Sequence, residues 1–178
     1  MTNLELYNFG KIATNSARET ALINRSITTY TNGDLQTVGQ YAFFHCEALQ
    51  SVSLPNVTTT GSYSFASCYA LTSVETPKLT AITFNLFSAC RSLTRVEFPS
   101  ATAVAAQALN GCVSLDTLIL SADTVATMSN TNALTGTPIA AGTGYVYVPD
   151  TLVSSYKAAS GWSTYAAQIK PLSELPTA

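Results

Sequence analysis

Glu75 and Glu97 stand one fixed interval apart, and the same interval separates Cys46, Cys68, Cys90 and Cys112. Two carboxylates held about 5–5.5 Å apart are the machinery of a retaining glycosidase. Four thiolates can hold zinc, or pair as disulfides. His45, the single histidine, could serve as a base beside an activated serine or cysteine. Which of these chemistries is possible depends on what the interval means.

The neighbours of the cysteines repeat with them. Three residues before stand Phe43, Phe65, Phe87 and Leu109; three after stand Leu49, Leu71, Leu93 and Leu115. Val52, Val74, Val96 and Leu118 follow at six, and Pro55, Pro77 and Pro99 at nine, with Ser121 in the last copy. A period of this length with many fixed apolar sites marks a solenoid in which each repeat is one coil. Stacked coils rise by about 4.8 Å, which spreads four equivalent cysteines along roughly 14 Å. Zinc needs all four thiolates around one point, and no CxxC pair stands in the chain, so no metal site is expected. Disulfides between neighbouring coils stay open as a competing arrangement. Their Cα spacing is permissible, although parallel Cβ vectors suit the required dihedral poorly. The leading expectation is a structural ladder of buried thiols, packing as small hydrophobes.

The period divides the chain. Residues 1–20 form an N-terminal cap or attachment segment, with a capping box at Ser16-Ala-Arg-Glu19 before a short helix over Ala21, Leu22 and Ile23. A degenerate coil at 21–42 places Asn24 in the cysteine column, and regular coils follow at 43–64, 65–86 and 87–108. The copy at 109–130 loses its proline and reads as the end of the stack. Residues 131–178 form a C-terminal cap. Around it, 129–144 is a loop, Gly144-Tyr-Val-Tyr-Val-Pro149 a last strand, and Asp150 caps a helix that ends at Gly161. A second helix from Ser163 buries Tyr165, Ala166 and Ile169 and stops at Pro171. Within a coil, Leu49-Gln-Ser-Val-Ser-Leu-Pro55 alternates as a half-buried strand with Val52 and Leu54 inward, and proline ends it. Equivalent strands run the same way in every turn, so the sheets are parallel.

Val38-Gly-Gln-Tyr-Ala-Phe43, with Cys46, Leu49, Val52, Leu54 and Pro55, resembles the repeat of the BspA-type (Treponema-type) leucine-rich repeat family, approximately I-G-x-x-A-F-x-x-C-x-x-L-x-x-I-x-L-P. Phe65, Cys68, Leu71, Val74 and Pro77 match it again, as do Phe87, Cys90, Leu93, Val96, Phe98 and Pro99. The segment from Tyr147 to Trp162 resembles the cap that closes such arrays. Departures fall at Thr60, Ala101 and the eroded last copy. The resemblance implies a right-handed leucine-rich-repeat superhelix with parallel β-sheets and short helical caps. It also implies adhesion or protein binding on bacterial, protist or phage-borne surfaces, with no catalytic residues. In such repeats the first strand lines the ligand side. The outward positions, five and seven after each cysteine, are Ser51, Ser53, Ser73, Glu75, Arg95, Glu97, Thr117 and Ile119.

Once the residues are placed in coils, the catalytic options weaken. Glu75 and Glu97 should sit side by side, but a glycosidase needs one carboxyl with a raised pKa in a pocket, and a solenoid face is open to water. A solvated face is the plainer reading, with a cation or polar ligand at the pair as the alternative and Arg95 offsetting the charge. His45 falls in a surface turn. Gly142-Thr-Gly144 lacks the lysine and helix of a phosphate loop. Asn24-Arg-Ser26 and Asn56-Val-Thr58 fit the glycosylation triplet. Trp162 and the tail tyrosines plug the end of the stack.

Charged residues make up 10% of the chain against about 25% in ordinary soluble domains, and the net charge is −2. No basic footprint for nucleic acid or a membrane surface is present. The first residues show neither a basic nor an apolar signal region, and no apolar window is long enough to span a bilayer. The expected protein is a non-enzymatic, cofactor-free interaction module for a protein or glycan, at a cell surface, outside the cell or on a virion. The alternative is a structural accessory of a phage tail or baseplate.

Overall fold

The computed structural model describes residues 26–177. The capping box at 16–19, the helix after it and Asn24 in the cysteine column lie outside these residues. Ten short strands run through to residue 128: β1 (Thr29–Thr31), β2 (Thr37–Val38), β3 (Ser51–Ser53), β4 (Thr59–Thr60), β5 (Ser73–Glu75), β6 (Ala81–Ile82), β7 (Arg95–Glu97), β8 (Ala103–Val104), β9 (Thr117–Ile119) and β10 (Thr127–Met128). Each coil contributes one odd-numbered strand and one even-numbered strand. All pairings are parallel, and from β1 to β9 the register is the sequence period: Ser51 with Ser73, Val52 with Val74, Ser53 with Glu75. The chain is a stack of leucine-rich-repeat coils.

What drives the stacking is visible in the core. Leu49, Leu71, Leu93 and Leu115 are wholly buried, and so are all four cysteines. The rings of Phe43, Phe65 and Phe87 lie parallel at 5.0 and 5.4 Å, one per coil. Burying a side chain of this size contributes about 1.5–3 kcal/mol, and no coil can bury it alone.

The turn that closes each coil is fixed by backbone bonds in both directions. Cys68 donates its N–H to the carbonyl of Phe65 within the coil, while Phe65 donates to Leu86 in the next. Two positions are left-handed in each of the four turns between residues 41 and 111. Tyr41, Tyr63, Asn85 and Gln107 occupy the first, at φ between 53° and 61°. His45, Ser67 and Ala89 occupy the second at φ near 60°, followed by Gly111 and Gly136.

The stack does not stop at residue 130. Gly136 and Thr137 take the places in a further turn that Gly111 and Cys112 hold in theirs, and Leu109 and Gly111 donate to the carbonyls of Ala133 and Thr135 as earlier coils do. The stretch expected as a loop at 129–144 instead holds a 3-10 turn (Thr131–Leu134) and a one-turn helix, α1 (Pro138–Ala141). Thr137 caps that helix and Gly142 ends it at φ 87°. A new strand, β11 (Tyr145–Val148), then pairs with β9, Val146 beside Leu118. Gly144 just before it admits no side chain, because a Cβ would lie 2.7 Å from the carbonyl oxygen of Asp116.

The closing segment departs from expectation twice. Asp150 does not cap α2 (Val153–Ala158); its carboxylate accepts the Ser173 N–H at 3.1 Å, and hydrogen bonding from Ser173 lowers its pKa. Ile169 is not helical either. It opens β12 (Ile169–Pro171), which adds to β11 and carries a proline at the sheet edge, where a missing donor is tolerated. Trp162 is buried as a plug and donates Nε1–H to the carbonyl of Ala126 at 2.6 Å. The Tyr156 hydroxyl accepts the N–H of the same residue.

The principal face is two sheets rather than one. β1, β3 and β5 form the first; β7, β9, β11 and β12 form the second. The break between β5 and β7 falls where Thr76 replaces the Leu54, Phe98 and Leu120 of the other coils. Thr76 is buried, and its hydroxyl has no hydrogen-bond partner.

Candidate functional site

The outward residues of the odd-numbered strands fall on one face, as the register requires. Ser73, Glu75, Arg95 and Glu97 are exposed, and Ser51, Ser53 and Thr117 are partly so. Ile119 is the correction. It is 1% exposed and paired in register with Tyr147, which is 4% exposed, so it presents nothing to a ligand. The cysteine period ends the face at residue 119, whereas β11 extends it to Tyr145, over whose ring the Lys170 ammonium sits at 4.3 Å. The Tyr-Val-Tyr-Val alternation signals that strand, but it follows β9 by more than one period, which hides the equivalence.

The carboxylate pair is not assembled. Glu75 and Glu97 sit on opposite sides of the sheet break, and their carboxylates turn away from each other. Glu75 accepts the Ser53 hydroxyl at 2.5 Å and Glu97 the Ser121 hydroxyl at 3.4 Å. Like charges in register repel, and each is satisfied by a serine of its own half-sheet. Arg95 forms no ion pair among the described residues. Thr117 donates to Asp116 at 2.7 Å rather than facing outward freely. No group of three or more potential metal ligands occurs among the described residues.

The cysteines form the buried ladder, and geometry shows why cysteine stands there. The Sγ of Cys68, Cys90 and Cys112 donates to the carbonyls of Phe43, Phe65 and Phe87 at 3.1, 3.2 and 3.0 Å. Each thiol thus ties its coil to the one before. Burial pushes the thiol of Cys112 up to about 12 and raises those of Cys68 and Cys90 as well. Thiols so protonated are poor nucleophiles and poor ligands.

His45 lies in the turn, its Nδ1 3.4 Å from Glu47. Asn56 of the glycosylation triplet is engaged on both sides, donating to Gly33 at 2.7 Å and accepting from Lys78 at 2.6 Å. A shallow cleft lined by Val113, Thr137, Pro138, Ala140 and Thr143 holds no acid, base or thiol.

The repeat of aligned phenylalanine, cysteine and leucine columns decides the relationship. A model of the BspA type leucine rich repeat region matches residues 13–135 in six copies. The chain belongs to the BspA-type leucine-rich repeat family. Such BspA-type repeats are typically non-catalytic and mediate protein interactions. A leucine rich cell surface protein from Faecalibacterium prausnitzii A2-165 shares the fold, with 19% identity, a TM-score of 0.53, and coverage of 83% of this chain and 32% of its own. A leucine-rich repeat protein from Bacteroides ovatus ATCC 8483 aligns at 15% identity and a TM-score of 0.38, over 69% of this chain and 52% of that one. The chain therefore spans about a third to a half of the length of these structures. No curated protein matches it. Among the described residues no helix is long and apolar enough to cross a membrane.

Proposed function

We propose that this BspA-type chain is the non-catalytic binding module of a bacterial cell-surface protein. It takes a protein ligand on the face bearing Ser51, Ser53, Ser73, Glu75, Arg95, Glu97 and Thr117. One observation carries the reading: inward columns repeat from coil to coil, while outward pairs change from Ser/Ser to Ser/Glu to Arg/Glu. A stacking requirement explains the first pattern and not the second. The surface placement draws on the Faecalibacterium protein, whose description is that of a cell surface protein.

The test is binding to arrayed purified matrix and host-surface proteins, comparing wild type with Ser73→Arg and Glu97→Arg. Loss of one specific interaction in both variants supports the face. Equal binding by all three proteins discards it. A gene standing among tail and baseplate genes would instead support a virion accessory.

A further inference from the structure

One surface away from the strand face carries side chains that neither the core nor the backbone requires. The first left-handed site of each turn holds Tyr41 and Tyr63 in two coils, then Asn85 and Gln107 in the next two. Glycine and short polar residues such as asparagine take this conformation most readily, so the backbone itself favours the later coils' choice. The second site holds no aromatic hydrocarbon ring, passing from His45 through Ser67 and Ala89 to Gly111 and Gly136. Nor does the core account for these rings, since its aromatic column is the separate stack of Phe43, Phe65 and Phe87.

The surface rings pack on one another instead. Tyr41 stacks on Tyr63 at 5.1 Å, Phe44 meets Tyr41 edge-on at 5.5 Å, and Phe84 meets Tyr63 edge-on at 5.5 Å. Phe84 is 39% exposed, and the tyrosines and Phe44 are half-buried. Strained residues kept without a packing or turn requirement point to function.

Charge narrows the occupant. The strip's cation is Arg91, already seated over the Tyr69 ring at 4.8 Å, and His45 lies beside Glu47. An anionic ligand would need several available cations. A quaternary ammonium would need ring faces converging on one point, whereas these faces cover each other. The strip itself offers the exposed ring of Phe84 and the neutral hydroxyls of two tyrosines; further along the column Asn85 is buried and donates to the Gln107 carboxamide oxygen at 3.1 Å. Apolar rings interspersed with neutral tyrosine hydroxyls suit a neutral, hydroxyl-rich chain. The ring spacing of 5.1 Å along the stack is close to the advance of one sugar in a β-linked pyranose chain.

We propose that the turn-edge strip of Tyr41, Phe44, Tyr63 and Phe84 binds a neutral glycan laid along the stack axis. The site is separate from the strand face and stands whether or not that face binds a protein. Affinity gel electrophoresis tests it, with mixed-linkage β-glucan, galactomannan and hydroxyethyl cellulose in the gel, and heparin and a proline-rich peptide as competing probes. Retardation by at least one neutral polysaccharide is expected, weakened tenfold or more in Tyr63→Asn and Phe84→Ala and unchanged in the charge-neutral Ser154→Ala, exposed on α2. Tyr63→Asn suits the left-handed backbone, so its melting temperature should stay the same or rise, separating lost binding from lost fold. No retardation by any neutral polysaccharide overturns the proposal. So does binding confined to heparin or the peptide, or retardation that both strip variants leave intact.

Discussion

The thiol column and the strand face are made by the same coils, a few residues apart, and they differ in what repeats. Along the column every coil from 43 to 112 offers the same cysteine, and Cys68, Cys90 and Cys112 each donate to the preceding coil. Along the face no two neighbouring coils offer the same outward pair, and the sheet beneath is interrupted between β5 and β7. Interior positions are constrained by their neighbours above and below, so one solution propagates. Outward positions meet water, where most side chains are tolerated within about 0.5 kcal/mol. Stability therefore resides in the column, and specificity can vary on the face without disturbing it.

The sharpest way to break this contrast is alkali. Burial raises the pKa of Cys68, Cys90 and Cys112 in the folded chain, while unfolded thiols titrate near 8.5. The folded state then holds more protons than the unfolded state above that pH, and stability falls as pH rises. The loss approaches about 1.4 kcal/mol per thiol per pH unit, so three thiols together exceed any single substitution. The urea midpoint should hold to about pH 8.5 and drop steeply by pH 10. Replacing the three cysteines by serine should flatten the fall. Tyr156 and Tyr165, also raised by burial, add to it only at still higher pH.

Truncating the stacked rings comes next. Phe65→Ala removes the middle of three parallel rings and should cost about 3–5 kcal/mol. Ser73→Ala, in the same coil but facing out, should stay within about 0.5 kcal/mol. Equal effects on the denaturation midpoint would dissolve the distinction between column and face. A smaller loss isolates the thiol bond itself. Cys90→Val keeps the volume and removes the donor to the Phe65 carbonyl, for about 1 kcal/mol by chemical denaturation.

The parts of the molecule legible in the sequence are those where residue type and spacing coincide. Phe87, Cys90 and Leu93 have one role in every coil, so period, inward face and parallel register all follow. The equivalence of β11 to β9 is hidden because α1 lengthens the interval beyond one period. Ile169 deceives for another reason: Tyr165, Ala166 and Ile169 have helical spacing, and Pro171 reads equally well as a helix stop or as a guarded sheet edge. For the carboxylate pair, register alone misleads. The side-by-side placement expected for Glu75 and Glu97 assumes a continuous sheet, and continuity is decided by a residue on the other side of the backbone.

That residue is Thr76, and it supplies the smallest and most discriminating test. Its hydroxyl is buried without a partner, and it is the one buried polar residue in a column that holds Asn32, half-buried, and Leu54, Phe98 and Leu120 in the other coils. Thr76→Val is close in shape and removes the unsatisfied oxygen, so it should stabilise the chain by about 1 kcal/mol. If Thr76 causes the interruption, the variant should also slow hydrogen exchange at the amides of Arg95 and Glu97, which would gain partners in β5. If exchange there is unchanged while stability rises, the interruption belongs to the repulsion that turns Glu75 and Glu97 apart instead. Glu75→Gln should then restore the pairing. Either result locates the break on one side of the sheet, and with it the reason the face divides where its charges begin.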